Sequence, residues 1–257
     1  MPLDMSPPRF FVDAPLAAGG TIRLPAEVAH HALRVLRLRD GAPIVLFDGR
    51  GGQYAARLQV TGSAALAQME AFDPIERESP LSLTLVQALV AADKLDWIVE
   101  KAVELGVAHI HVVPMQRSVV RLDEARAARR VRHWADVARA ASCQCGRNRV
   151  PAVEFHGGFG AMLAALPTDV PRLLLLPTAA RDVGSAIAGD RAVLMIGPEG
   201  GLAEHEISQA GQGRFVSVQL GPRVLRTETA GLAALAALQA MHGDLCYAAT
   251  RLLPDRS

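Results

Sequence analysis

Residues 192–241 read AVLMIGPEGGLAEHEISQAGQGRFVSVQLGPRVLRTETAGLAALAALQAM, and this stretch decides the fold of the second part of the chain. Residues 192–196 and 215–220 are short apolar runs rich in branched side chains, the pattern of buried strands. Each runs into a Gly-Pro loop and then into a helix-like segment. Gly197, Gly200 and Gly201 permit sharp turns and close approach of a ligand to the backbone. Pro198 and Pro222 fix φ and stiffen the loops. Stiff loops at strand carboxyl ends are where open α/β sheets bind small ligands. Thr227 is expected to cap the last helix, with Glu228 in its first turn where negative charge suits the helix dipole. The run 230–241 is apolar nearly all round, which predicts a buried helix, and Gly231 among alanines predicts close backbone packing. Arg223, Arg226, Thr227 and Glu228 crowd against this dry helix, and such a polar cluster needs a reason to be there.

Upstream, strands are predicted at 83–90, 109–113 and 172–176. A helix is predicted at 94–105, with Leu95, Ile98, Val99, Ala102 and Leu105 on one face and Gly106 as its stop. A longer one spans 123–144, with Val131, Trp134, Ala135, Ala138 and Ala141 inward. The alternation of strands and helices implies a mostly parallel sheet covered on both faces. Residues 1–72 differ, with strand-like runs at 9–12, 21–24, 44–47 and 53–60 separated by glycine-rich turns. A short helix at 26–36 places Val28, Ala32, Val35 and Leu36 on one side. Short strands plus one helix suggest a small β-barrel. The polar, proline-bracketed DPIERESP at 73–80 reads as a linker between domains at 1–72 and 81–257.

The chain of 257 residues is half apolar and about one-fifth charged, an ordinary globular balance. A formal net charge of +1 announces no nucleic-acid partner, so any such role rests on local clustering. Arg9, Arg34, Arg37 and Arg39 cluster with His30 and His31, although Arg37 could instead pair with Asp40. Arg126, Arg129, Arg130, Arg132 and Arg139 share the outer face of the long helix, either as a solvated surface or as an RNA contact. The three cysteines, Cys143, Cys145 and Cys246, show no zinc spacing and no signal peptide precedes them, which points to reduced cytoplasmic thiols. The paired histidines lack a metal constellation, and no metal is expected. No apolar run approaches the roughly 20 residues that span a bilayer. There is no GxxxxGK[ST] loop, and GPEGG is not the GxGxxG fingerprint. The loops suit a ligand held by backbone hydrogen bonds and apolar contact, such as an adenosine.

GPEGGLAEHEI followed by LGPRVLRTETAGLAAL closely resembles the signature of the ribosomal RNA small subunit methyltransferase E family, one of the knotted SPOUT methyltransferases. KLDWIVEKAVELG at 94–106, Gln116-Arg117-Ser118, QCGRNRVP at 144–151 and HHALRVLRLRDG at 30–41 extend the resemblance over most of the chain. It implies an α/β fold: a C-terminal SPOUT-like knotted methyltransferase domain behind an N-terminal PUA-like RNA-binding β-barrel. It also implies a cytoplasmic homodimer acting on 16S ribosomal RNA of the small ribosomal subunit, with S-adenosylmethionine as cofactor. The cofactor would be held by Gly197, Pro198, Glu199, Gly200 and Gly201 in one loop. Leu220, Gly221, Val224, Leu225, Arg226 and Thr227 would hold it in the other, with the adenine among Leu220, Val224 and Leu225. Arg9, Arg34, Arg37, Lys94, Arg117, Arg147 and Arg149 would contact RNA.

The family methylates N3 of a uridine. That chemistry asks for alignment of N3 with the methyl group and for stabilisation of charge on the uracil oxygens. Arg226 suits the second task because a guanidinium binds a carbonyl oxygen without losing its charge. The proton acceptor is Glu228 or a water. Arg226 and Glu228 could also pair with each other, and Glu199 either holds its loop or lines the uracil pocket. A ribose 2′-O-methyltransferase of related fold and a non-catalytic RNA-binding protein are the rival readings.

Overall fold

The computed structural model describes residues 7–62 and 64–245, so Cys246 lies outside the described residues. The chain divides into two compact units. The first runs as far as Glu78 and takes in Ser142–Val150; the second comprises Ser79–Ala141 and the chain from Pro151 onward.

The first unit contains β1 (Arg9–Phe11), β2 (Thr21–Arg23), α1 (Ala26–His30), a π-helical turn (His31–Val35), β3 (Pro43–Phe47), β4 (Gln53–Thr61) and β5 (Ala64–Asp73). Its five strands form a sheet in the order β1-β3-β4-β5-β2. β1 runs parallel to β3 and the other pairings are antiparallel. The barrel expected from the sequence would close by pairing β1 with β2, whereas this order leaves those two at the edges. The core gathers Phe10, Ile44, Leu46, Leu58, Ala67 and Met69. β5 (AALAQMEAFD) is not foreseen by the sequence reading because alanine favours helix. Its alternating burial of Ala65, Ala67 and Met69 is the two-residue period of a strand.

The short helix also departs from expectation. Ala29 and Ala32 are buried, but Val35 is 60% exposed and Leu36 42% exposed. The widened π turn advances the buried face and turns these two side chains outward.

The stretch expected as a linker is packed into the first unit. Glu76 Oε1 accepts from the Gly52 N–H at 2.8 Å, and Asn148 Nδ2 donates to the Ile75 carbonyl at 2.6 Å. The unit boundary therefore falls after Glu78 rather than after residue 72, and a segment from the middle of the chain returns to complete the unit. Cys143 and Cys145 are free thiols. Burial pushes the Cys143 thiol pKa up, which disfavours the nucleophilic thiolate.

The second unit contains β6 (Ser82–Ala88), α2 (Ala92–Glu104), β7 (Val107–Val113), α3 (Glu124–Cys145, whose last turn belongs with the first unit), β8 (Ala152–Phe155) and α4 (Phe159–Ala165). It continues with β9 (Arg172–Leu175), a 3-10 turn (Gly184–Ala186), β10 (Arg191–Ile196), α5 (Glu204–Gln212), β11 (Phe215–Val218) and α6 (Thr227–His242). The six strands are all parallel, in the order β11-β9-β10-β6-β7-β8. β6 and β10 are buried along nearly their whole length, as central strands covered on both faces must be. Leu95, Ile98, Val99 and Ala102 bury the inner face of α2, and Gly106 ends it at φ +79°. Trp134 is fully buried under α3. The packing of α6 is as close as its alanines suggest: a Cβ on Gly231 would stand 3.3 Å from Ile196 Cγ1 and 3.6 Å from Leu85 Cδ1.

Candidate functional site

The carboxyl ends of β9, β10 and β11 open into a cavity of about 430 Å³. Its walls come from the turn after β9 (Leu176, Pro177), the loop after β10 (Gly197–Leu202 apart from Gly200) and the loop leading from β11 into α6. Two of these loops were legible as Gly-Pro motifs. The third, after the apolar run RLLLL, was not, although its place at a strand carboxyl end is the signal that could have found it.

Of the residues expected at the cofactor, Gly197, Pro198, Glu199, Gly201, Leu220, Gly221, Val224, Leu225, Arg226 and Thr227 line the cavity. Gly200 does not. It faces Arg117, whose Cβ would lie 3.0 Å from a Cβ at this position and whose Nη1 donates to the Gly200 carbonyl at 3.0 Å. Gly201 and Gly221 sit at φ +70° and +68°, a left-handed conformation that makes glycine the natural occupant of both turns.

Thr227 is buried and has a different task from the one its sequence position suggests. It is the first residue of α6, with Arg226 in the cap position and no side-chain cap bond. Its hydroxyl donates to the Gly197 carbonyl at 2.7 Å and accepts from Gln87 Nε2 at 3.0 Å. The fully buried Gln87 on β6, the loop after β10 and the start of α6 are thus tied through one oxygen.

Lys94, expected at RNA, stands on the cavity wall. Its ammonium lies 3.0 Å from Glu199 Oε1 and 3.5 Å from Glu228 Oε2. The hydrogen bond to Glu199, helped by the charge of Glu228, raises the Lys94 pKa above the ordinary lysine value. Glu228 is off the wall, and its buried Oε2 makes no hydrogen bond among the described residues. It pairs with Lys94 and not with Arg226, so the alternative of an Arg226–Glu228 bridge is not realised. Arg226 is exposed at the cavity rim, and its guanidinium has no ion pair among the described residues.

Two residues that sequence reasoning missed hold the loop after β7. Buried Glu206 accepts from the Ala203 N–H at 2.8 Å through Oε2 and from the Gln116 N–H at 2.7 Å through Oε1. Arg121 donates to the carbonyls of Met115 (3.1 Å), Gln116 (2.9 Å) and Ser118 (2.8 Å). The first bond is local, three residues back along the chain, but Ala203 is no capping residue and signals nothing in the sequence; the second, to a loop 90 residues away, is equally silent there.

The remaining expected RNA contacts divide. Arg34 and Arg37 are exposed on the first unit, and Asp40 accepts from the Val60 N–H instead of pairing with Arg37. Arg149 is exposed, 3.6 Å from Glu76. Arg9 and Arg147 are turned inward. Arg9 donates to Gln53, to the Arg147 carbonyl at 3.1 Å and to Asn148 Oδ1 at 2.7 Å, with its guanidinium over the Phe47 ring. Burial lowers the Arg9 pKa, with the charge of Arg77 adding to the effect. Arg147 is buried and donates from Nε to Glu78 Oε1 at 3.1 Å. Apart from Arg9 Nε, which has no hydrogen-bond partner among the described residues, the donors named here go to protein groups, unlike the solvent-facing phosphate contacts expected from the sequence. On α3, Arg126, Arg130 and Arg139 are paired with Asp123, Asp96 and Asp136.

The RNA methyltransferase domain family matches residues 77–239, and the RNA methyltransferase PUA domain matches residues 24–66. The ribosomal RNA small subunit methyltransferase E of Bacillus subtilis is 32% identical over 230 residues, covering 85% of this chain and 89% of its own. The chain belongs to the ribosomal RNA small subunit methyltransferase E family. A crystal structure of the family's protein from Neisseria gonorrhoeae, bound to S-adenosyl methionine, superposes with a TM-score of 0.86 at 39% identity, covering 93% of this chain and all of that one. A putative methyltransferase of Legionella pneumophila, in complex with the same cofactor, reaches a TM-score of 0.89 at 30% identity over 94% of this chain and all of its own. The second unit accordingly carries the α/β RNA methyltransferase domain of the family, and the family's PUA domain lies in the first unit.

Proposed function

We propose that the protein transfers a methyl group from S-adenosylmethionine to N3 of a uridine in 16S ribosomal RNA. The observation that carries this reading is a cavity built of three strand-end loops with Arg226 at its rim, its guanidinium without an ion pair among the described residues. The cavity fits the cofactor's chemistry. Leu176, Leu220, Val224 and Leu225 offer apolar surface for an adenine, loop N–H and C=O groups can read its edge, and the volume lies in the range of small-molecule sites. S-adenosylmethionine, when bound, supplies an electrophilic methyl group.

The chain's own residues do the rest. Thr227 and Gln87 fix the loop geometry, and Lys94 holds Glu199 at the wall. Arg226 binds a uracil carbonyl oxygen and stabilises the negative charge that develops as N3 loses its proton. Because Glu228 is engaged with Lys94 and off the cavity wall, water takes that proton. N3 lies on the base-pairing edge, so the target uridine is unpaired or flipped out. Arg34, Arg37, Arg117 and Arg149, all exposed, are the RNA-backbone contacts in this reading.

The same proposal includes a homodimer, the knotted threading of the second unit and a cytoplasmic setting. The outer side of α6 supports the first: Leu232, Ala233, Ala236 and Ala237 are half-exposed and Met241 is 57% exposed. No helix among the described residues is long and apolar enough to cross a membrane. The test is methylation of unmodified small subunits and of free 16S RNA with labelled cofactor, followed by nucleoside mass analysis. The expected product is N3-methyluridine. A ribose-methylated nucleoside, or no incorporation into either substrate, overturns the proposal.

A further inference from the structure

Away from the cavity just described, His111 on β7 and Glu154 on β8 stand in register on adjacent parallel strands, and His156 follows β8 on the same face. His111 Nδ1 lies 2.8 Å from His156 Nε2, and each is 3.9 Å from Glu154 Oε2. A point about 2.1 Å from all three atoms lies inside this triangle, which is the bond length of zinc to imidazole nitrogen and carboxylate oxygen. The two imidazole nitrogens face one another across a shared hydrogen, and a cation would take its place. His111 is 6% exposed, so its ring is held by packing, while Glu154 is half-exposed and able to adjust.

His111 and Glu154 also line a second cavity, of about 380 Å³, together with Thr84, His109 and Arg191. Arg191 begins β10, whereas Ile196, which ends it, lines the first cavity; the two cavities therefore open toward opposite ends of the sheet. We propose that His111, Glu154 and His156 form a binding site for a divalent transition-metal ion of the zinc class, with a fourth position open to this second cavity. Two imidazoles and one carboxylate are the donor set of borderline cations and not of magnesium or calcium, which take oxygen ligands. The ion clamps the edge strand β8 to β7 and holds a water in the open position.

The experiment is calorimetric titration of Zn²⁺ into the chelator-treated full-length protein, alongside the Glu154→Gln and His156→Gln variants. Both substitutions are at partly exposed side chains; circular dichroism establishes that the variants remain folded. A Co²⁺ absorption spectrum reports the coordination. The wild type is expected to bind one Zn²⁺ in excess of the variants, to show the visible bands of four-coordinate Co²⁺ with nitrogen and oxygen donors, and to melt at higher temperature with Zn²⁺ present. Each variant should weaken this binding at least tenfold and lose the Co²⁺ bands. Equal Zn²⁺ binding by wild type and both folded variants, or Co²⁺ bands that report thiolate ligation at Cys143 and Cys145, overturns the site.

Discussion

Arg226 and Thr227 are neighbours in sequence with opposite duties. Arg226 is exposed and has no acidic partner among the described residues, so its charge is available to a substrate. Arg226→Ala should leave cofactor affinity within a few-fold by calorimetry while lowering kcat by about 10²–10³, the cost of deleting one donor to a developing oxyanion. Unchanged turnover would remove Arg226 from the mechanism. Thr227 is buried, and its hydroxyl is shared between Gly197 and Gln87. Thr227→Val keeps the shape but strands a buried carbonyl and a buried amide. It should cost about 1–3 kcal/mol of stability, read by thermal denaturation, and weaken cofactor binding in parallel. Sequence alone marked both residues, but it gave Thr227 the wrong partner. An N-cap oxygen and a loop-tying oxygen look the same until the third strand is in place.

At the scale of elements, the parallel strands and the helices between them were legible because central strands are apolar throughout and α2 carries its apolar residues at helical spacing. What was not legible was local structure at odds with its composition. β5 is alanine-rich and yet a strand because β4 and β2 flank it. The π turn after α1 exposes Val35 and Leu36, which an unbroken helix would have turned toward Val28 and Ala32. α5 illustrates an element doing more than pack. Its Glu206 reaches back to accept from the N-cap Ala203 N–H and also anchors the loop after β7 through the Gln116 N–H. Glu206→Ala should therefore cost about 1–3 kcal/mol in chemical denaturation for the stranded buried donors. Glu206→Gln, which keeps one acceptor, should recover part of that loss; equal stability of all three proteins would mean the loop does not depend on this carboxylate.

For the molecule as a whole, the notable feature is that the first unit is discontinuous. Residues 142–150 leave the methyltransferase unit in sequence and belong to the first in space. Arg9, Arg147 and Asn148 hold them there, through Gln53, Glu78 and the Ile75 carbonyl. Arg147→Ala should lower stability by about 2 kcal/mol, measured as a shift of the urea midpoint. Arg149→Ala, at an exposed position, should leave the midpoint unmoved and weaken RNA binding with a smaller salt dependence. A reversal of those two outcomes would return Arg147 to the RNA surface.

The sequence by itself determined the α/β class of the second unit, two of the three loops around the cavity and the family. These are written in contiguous residues: apolar runs, Gly-Pro turns and a long signature near the carboxyl terminus. Only the tertiary structure decided the third loop, the inward turn of Arg9 and Arg147, the ties of Lys94 to two glutamates and the cluster of His111, Glu154 and His156. Each depends on segments that are adjacent in space but tens of residues apart in the chain. A side chain's partner is set by strand order and register, and neither is encoded in its immediate neighbours.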